Sequence, residues 1–426
     1  MPFRYVPPGA MLFACALAAQ TAAEKPKTPS IPANYDEAQV GTYTLPDPLT
    51  FPNGGRVRNA KDWYENRRPQ ILKLFEDNMH GHSPERPAGM KFDVFEKSGS
   101  AFDGKAMRRQ ITIFFTGDRN GPKADLLLYL PAPAKSPVPV LLNLSFSANS
   151  RTVDDSGVRP GEVWNREHKR VPAAQGMAIG RVTRVPDLLD AGFGFATIYY
   201  GDIEPDFAGG AQYGIRGAYL KPGQTEPGPS DWGAIGAWAW GLSRAMDYLV
   251  TDPAVDSKRV AILGISRLGK TVLWAAAQDT RFAMVIASCS GEGGAALSRR
   301  NYGETVKNLN VNFGYQFAGN YQKFGGHVDE LPVDSNMLLS LIAPRPLLLQ
   351  TGDQDKWSDP RGEFLAAVAA GPVWKLLGKD DLGTTEMPAP GTSILHTLAY
   401  EMHAGGHGTV PSDWDVFLEF MRLHLK

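Results

Sequence analysis

The segment Gly264-Ile265-Ser266-Arg267-Leu268-Gly269-Lys270 sets a serine directly after the apolar run 259–265 and directly before a helical pattern. Strand, tight turn and helix in that order lift a serine hydroxyl clear of a sheet, and small residues at −2 and +3 let neighbouring backbone come close. In the general G-x-S-x-G pattern the second glycine stands at +2, where this chain has Leu268. A helix opening at the serine turns its free N–H groups and positive dipole end towards negative charge developing there. The chemistry such a residue offers is nucleophilic acyl transfer, which needs a general base and an orienting acid.

Chain order narrows the choice of both, because in this class the acid and then the histidine follow the serine. The apolar run 345–351 ends in Gly352-Asp353-Gln354-Asp355, a turn with two carboxylates. Of the eight histidines, His80, His82 and His168 precede the serine, His327 precedes the acid, His396 precedes the last strand, and His424 lies on the terminal helix. His403 and His407 are left, flanking Gly405-Gly406 and followed by Gly408. A zinc pair at that i, i+4 spacing would require a helix, which two adjacent glycines disfavour, so no metal is expected.

Elements that could carry these groups alternate along the chain. Ala124–Leu130, Val138–Leu144, Phe193–Tyr200, Arg259–Ile265, Phe282–Ser288 and Arg345–Thr351 are short apolar runs that suit strands buried on both faces, and Thr397–Met402 is the last strand. Pro186–Ala191, Asp231–Val250, Leu268–Gln278 and Gly362–Leu377 read as helices, as does Ser412–Leu425, with Ser412 as its N-cap. This alternation predicts an α/β fold, a mostly parallel central sheet in a three-layer α/β/α sandwich. Residues 33–120 are more mixed and read as a helix (Ala60–Asn78) with antiparallel strands wrapped on the sheet.

With 44 Lys+Arg against 45 Asp+Glu, the net charge of −1 lacks the basic surface that nucleic-acid binding needs. No run of eighteen apolar residues occurs, so no membrane span is expected. Arg4, the short apolar run Ala10–Ala19 and the small residues Thr21-Ala22-Ala23 predict a signal peptide over residues 1–23, followed by a Pro- and Lys-rich linker over 24–33. Export to the periplasm or the medium follows. A lipidation site at Cys15 is disfavoured because the apolar run continues past it. Residues 34–426 are expected to form a single catalytic domain and to act as a monomer.

Longer segments make the chain recognisable. Asn34–Pro46, Arg67–Pro84, Tyr199–Pro205, the S-R-x-G-K run at Ser266–Lys270, Ser290–Leu309, Trp357–Phe364 and Gly405–Gly408 together resemble the bacterial glucuronoyl esterases, carbohydrate esterase family 15. The resemblance spans essentially the whole mature length. It implies an α/β-hydrolase fold, no cofactor, and hydrolysis of glucuronate esters such as those joining glucuronoxylan to lignin alcohols. It further implies Ser266 as nucleophile, His407 as base, Arg267 as oxyanion donor, and Lys270, Glu304 and Trp357 as sugar-binding residues. His403 is then a flanking structural residue. Two departures stand out. Many relatives carry the triad glutamate where this chain has Cys289, so the acid is expected at Asp355, chosen over Asp353 for the loop length of G-x-x-D, with Glu292 as a displaced alternative. The loop Leu144–Thr152 lacks the Asn/Gly/His-rich composition that supplies a second oxyanion donor in relatives. The competing readings are an acetyl xylan esterase-like carbohydrate esterase, which has no need of a uronate cradle, and an inactive carbohydrate-binding homologue.

Overall fold

Alternation of side chains across a strand decides how the apolar runs are used. The computed structural model describes residues 31–132, 134, 136–174, 176 and 183–426. The expected signal peptide, the linker up to residue 30 and a possible lipidation site at Cys15 lie outside them. In chain order the strands are β1 (Lys91–Ala101), β2 (Ala106–Phe114), β3 (Lys123–Pro131), β4 (Val138–Ser145), β5 (Glu162–Trp164), β6 (Arg170–Pro172), β7 (Gly194–Tyr199), β8 (Val255–Ile265), β9 (Met284–Ser288), β10 (Leu347–Gly352) and β11 (Leu398–His403). Nine of them form one sheet in the order β1-β2-β3-β7-β4-β8-β9-β10-β11, while β5 and β6 form a separate hairpin. The β1–β2, β2–β3 and β3–β7 pairs are antiparallel, and every pair from β7 to β11 is parallel.

Successive residues of the parallel strands enter opposite cores. Val260 and Ile262 of β8 join one apolar cluster with Trp238, Trp274 and Trp374, whereas Ala261 and Leu263 join a second with Leu188, Phe417 and Met421. Helices Ala234–Leu249, Arg267–Gln278 and Pro360–Leu376 supply the first cluster, and Val185–Asp190 and Pro411–Leu425 the second. A strand buried this way has no polar face, which explains the unbroken apolar runs. The architecture is the α/β-hydrolase sandwich.

The terminal helix starts one residue before Ser412, at Pro411, so Ser412 is not its N-cap. Asp413 serves the end instead: its carboxylate accepts the Val410 N–H at 2.7 Å. The hairpin β5–β6, too short to show a period in the sequence, was not expected. Before the first helix, Asn34 accepts the Gly303 N–H on its carbonyl at 2.8 Å, and Glu37 pairs with both Arg300 and Arg361. This arm therefore braces the segment that carries Glu304.

Parallel strands deliver all their C-terminal ends to one edge, and ligand sites form there. At the end of β8, a Cβ on Gly264 would lie 2.1 Å from the Leu268 carbonyl oxygen and 2.5 Å from its carbon, both backbone of the next helix. Gly264→Ala should therefore destabilise the protein by about 1–3 kcal/mol or more, the usual range for forced overpacking. Thermal unfolding checks this against Gly326→Ala, where a Cβ meets nothing within 4 Å. Equal midpoints for the two variants would contradict the packing argument.

Candidate active site

Ser266 sits at φ 59°, ψ −129°, between β8 and the helix Arg267–Gln278. Its N–H donates to the Ser288 carbonyl at 2.8 Å, and its own carbonyl accepts the Lys270 N–H at 3.1 Å. A Cβ on Gly269 would lie 2.9 Å from that same Ser288 oxygen, so the glycine at +3 is what lets the helix pass the end of β9. Leu268, at the position usually held by glycine, points into the core and is buried.

Two neighbouring loops are tied together at the ends of β10 and β11. The Asp353 carboxylate accepts the Gly405 N–H at 2.7 Å, and the Gln354 N–H donates to the Gly405 carbonyl at 2.8 Å. His403 is buried, with Nε2 3.0 Å from the Gly406 carbonyl and Nδ1 3.0 Å from Asp413. These contacts fix the glycine-rich loop, which brings His407 Nδ1 to 2.6 Å from Asp355 Oδ2 and 3.3 Å from Ser358 Oγ. Asp353 and His403 are thus braces of the loop, while Asp355 and His407 meet. Burial alone would push the Asp355 carboxyl up, but the hydrogen bond and charge of His407 and two hydrogen bonds from Ser358 hold it below the usual carboxylate range.

Cys289 directly follows β9, at φ 44°, beside this pair. Its Sγ, an Asp355 oxygen and a His407 nitrogen all lie within 4.8 Å of one another. These are metal-ligating types; burial drives the thiol far above its ordinary pKa, and His407 Nδ1 is already engaged by Asp355 Oδ2 at 2.6 Å. Glu292 turns away from His407: Oε1 accepts from Ser298 Oγ at 2.7 Å and from the Tyr321 hydroxyl at 3.3 Å.

Two cavities meet at Ser266, Arg267 and His407. One, of about 250 Å³, is lined further by Lys270, Glu304, Gln316, Asp355 and Trp357. Lys270 Nζ and Glu304 Oε2 are 3.3 Å apart and almost fully buried, an ionic pair at the cavity wall. Trp357 remains 38% exposed, on a turn whose carbonyl accepts the Glu304 N–H at 2.9 Å. Gly303 makes that junction possible, since a Cβ there would lie 2.5 Å from the Lys356 and Trp357 carbonyls. The second cavity, of about 480 Å³, has Phe146, Arg151, Thr409 and Trp414 in its wall. In the loop after β4 the Ser147 N–H donates to Ser145 Oγ at 3.2 Å, so that donor is already engaged. Sequence reasoning passed over Asp206, whose carboxylate lies 2.7 Å from Arg267 Nε. Its only signal was a position just beyond the motif Tyr199–Pro205.

Comparison with known proteins agrees over nearly the full length. A family model described as "Glucuronyl esterase, fungi" matches residues 227–378. The carbohydrate esterase MZ0003 from an unknown prokaryotic organism is 44% identical, with 92% of each chain aligned. The solved glucuronoyl esterase from Solibacter usitatus is 48% identical with a TM-score of 0.88, covering 92% of this chain and 100% of that one. A solved CE15 glucuronoyl esterase from Teredinibacter turnerae T7901 is 34% identical with a TM-score of 0.78, covering 92% of each.

The environment of Glu292 gives a pH signature. Burial pushes its carboxyl up to about 8, beyond what the hydrogen bond from Ser298 recovers. Between the ordinary carboxylate range and that value the folded chain holds a proton that the unfolded chain has lost. Stability therefore falls as pH rises through this window. Glu292→Gln removes the effect and keeps an acceptor for Ser298. Its unfolding midpoint relative to the parent should rise from about pH 5 to about pH 8, the interval set by ordinary and shifted values. A pH-independent difference would show that Glu292 does not carry the proton.

Proposed function

The chain belongs to carbohydrate esterase family 15, the glucuronoyl esterases, and on that premise we propose that it hydrolyses esters of glucuronic acid through Ser266. The observation that carries this reading is the 2.6 Å contact between Asp355 and His407 beside a serine held on a strained turn. With Nδ1 engaged by Asp355, the imidazole offers its other nitrogen to the serine proton. His407 takes that proton as Ser266 Oγ bonds to the C6 carbonyl carbon, and Asp355 stabilises the imidazolium that forms. The negative charge on the carbonyl oxygen is met by Arg267, a charged donor stronger than a neutral one. Collapse of the tetrahedral centre breaks the ester C–O bond, and the alcohol leaves with the proton from His407. Water, deprotonated by the same imidazole, then attacks the acyl-serine and releases glucuronate and free Ser266.

Cavity chemistry supports the orientation. The Lys270–Glu304 pair donates to and accepts from sugar hydroxyls, and Trp357 offers a face to the apolar side of a pyranose. The alcohol then occupies the cavity beside Phe146 and Trp414. Ester links between glucuronoxylan side chains and lignin alcohols fit both halves. Such a substrate is extracellular, in keeping with the signal peptide read in residues 1–23, and no helix among the described residues is long and apolar enough to cross a membrane.

Release of benzyl alcohol from benzyl glucuronate, measured against acetate release from acetyl-xylan, tests the substrate class. Preferential acetate release would overturn it. Lys270→Ala should slow the glucuronate ester far more than a simple acyl ester, whereas equal losses would make the lysine structural. Ser266→Ala should abolish cleavage in a folded protein. Asp355→Asn is expected to cost on the order of 10⁴ in rate, as for the corresponding carboxylate of serine proteases. Cys289→Glu should restore part of that loss, because position 289 is already within reach of the imidazole. Steady-state rates of the single and double variants on one ester decide it. If Glu292→Gln proves more damaging than Asp355→Asn, the assignment of the acid is wrong.

A further inference from the structure

Arg267 is the cation assigned to the carbonyl oxygen in the proposed reaction, and an arginine side chain held only by its stem samples many rotamers. Two groups hold it from behind. Asp206 Oδ2 lies 2.7 Å from its Nε, a contact made by charge and proximity, since the N–H is not aligned on that oxygen. The Phe146 ring lies 5.2 Å from the guanidinium carbon. The other Asp206 oxygen is itself anchored, accepting from the Tyr315 hydroxyl at 2.9 Å and from Gln316 Nε2 at 2.8 Å. Behind these, Arg216 donates to the Tyr315 carbonyl at 3.4 Å and pairs with the buried Glu204 at 2.9 Å. Burial and the Asp206 charge push the Tyr315 hydroxyl far above its usual range, so it stays a donor at any working pH.

We propose that Asp206 is a positioning residue, a carboxylate clamp that holds the Nε edge of Arg267 so that the rest of the guanidinium is preset towards the ester oxygen. The inference rests on the oxyanion role of Arg267 given above. Arg267 lines the same cavity as Glu304 and Asp355. Released from Asp206, it could swing to either carboxylate, withdrawing the donor and pairing with the acid that orients His407. Fixed donors stabilise developing charge because nothing reorganises during the reaction. Electrostatically, Asp206 weakens the net positive field of Arg267 somewhat, so its benefit must come from orientation. That separates it from a residue that merely adds charge.

The amide of Asp206→Asn can keep its oxygen towards Tyr315 and Gln316 while turning an NH₂ against Arg267 Nε, which breaks the clamp selectively. On benzyl glucuronate, kcat should fall about tenfold or more, towards the loss seen when one oxyanion donor is removed. KM should stay within about twofold, since the interaction acts in the transition state. In an Arg267→Ala background the same substitution should change kcat by less than about twofold, the mark of two residues acting as a unit. Asp206→Glu, which keeps the charge, should recover part of the rate. If Asp206→Asn does not fold, Asp206→Ser removes the carboxylate with less bulk and enters the same cycle. An equal kcat loss in both backgrounds, or a loss carried by KM, overturns the clamp and leaves Asp206 as a support of the sugar cavity through Gln316. A wild-type rate in Arg267→Ala alone removes the oxyanion role and the clamp with it, while a slow Arg267→Ala with an additive Asp206→Asn removes the clamp only.

Discussion

Ser266 holds a backbone conformation that a residue with a Cβ adopts only under compulsion, at a cost of order 1–3 kcal/mol. The compulsion is the close approach of three chain segments. Near the end of strand β8 the next helix must pass over Gly264 at the Leu268 carbonyl, and that helix must clear the Ser288 carbonyl at Gly269. Pairing of Ile265 with Ser288 sets the relative height of the two strand ends, and the Ser266 N–H closes the arrangement on Ser288. Cys289, the residue after that carbonyl, also has positive φ. Strain is thus gathered at one edge of the sheet, where the two apolar cores on either face can bear it.

The histidine reaches that edge by the opposite means. Gly405, Gly406 and Gly408 give its loop a freedom that would cost entropy to order on its own. Contacts from Asp353, Gln354 and His403 remove that freedom before any substrate arrives. The loops also pack close enough that a Cβ on Gly352 would lie 2.2 Å from the Gly406 carbonyl. The serine is positioned by steric compulsion and the imidazole by a net of hydrogen bonds, and both constraints rest on parallel strands ending at one height.

Strands buried on both faces were legible because their unbroken apolar runs leave no other use for them, and chain order brought the reading of the site down to His403, His407, Asp353 and Asp355. Which member of each pair braces and which meets its partner depends on side-chain direction in irregular loops, where no period exists to read. Ser412 misled for a related reason: a serine before acidic residues suits an N-cap, but Pro411 already has the fixed φ of a first helical residue. Asp206 had only its place just beyond the Tyr199–Pro205 motif to mark it. Its partners Arg267, Tyr315 and Gln316 lie far along the chain, and a lone aspartate after a strand carries no spacing signal.

Carboxylates crowd this edge, and their environments divide them. Asp355 keeps its charge because His407 and Ser358 supply hydrogen bonds and opposite charge that outweigh burial. Glu363 lies nearby and fully buried. Despite the Gly291 N–H at 2.6 Å, burial and the charge of Asp355 push it up to about 8. Two ionised groups there would repel each other, and the upward shift of Glu363 favours its neutral form beside the charged Asp355. In the proposed reaction, an imidazolium formed beside Asp355 would be stabilised by that carboxylate and still return its proton to the departing alcohol. The uncharged cysteine at position 289 fits this arrangement: a second carboxylate at that position would add the charge that burial of Glu363 otherwise withholds.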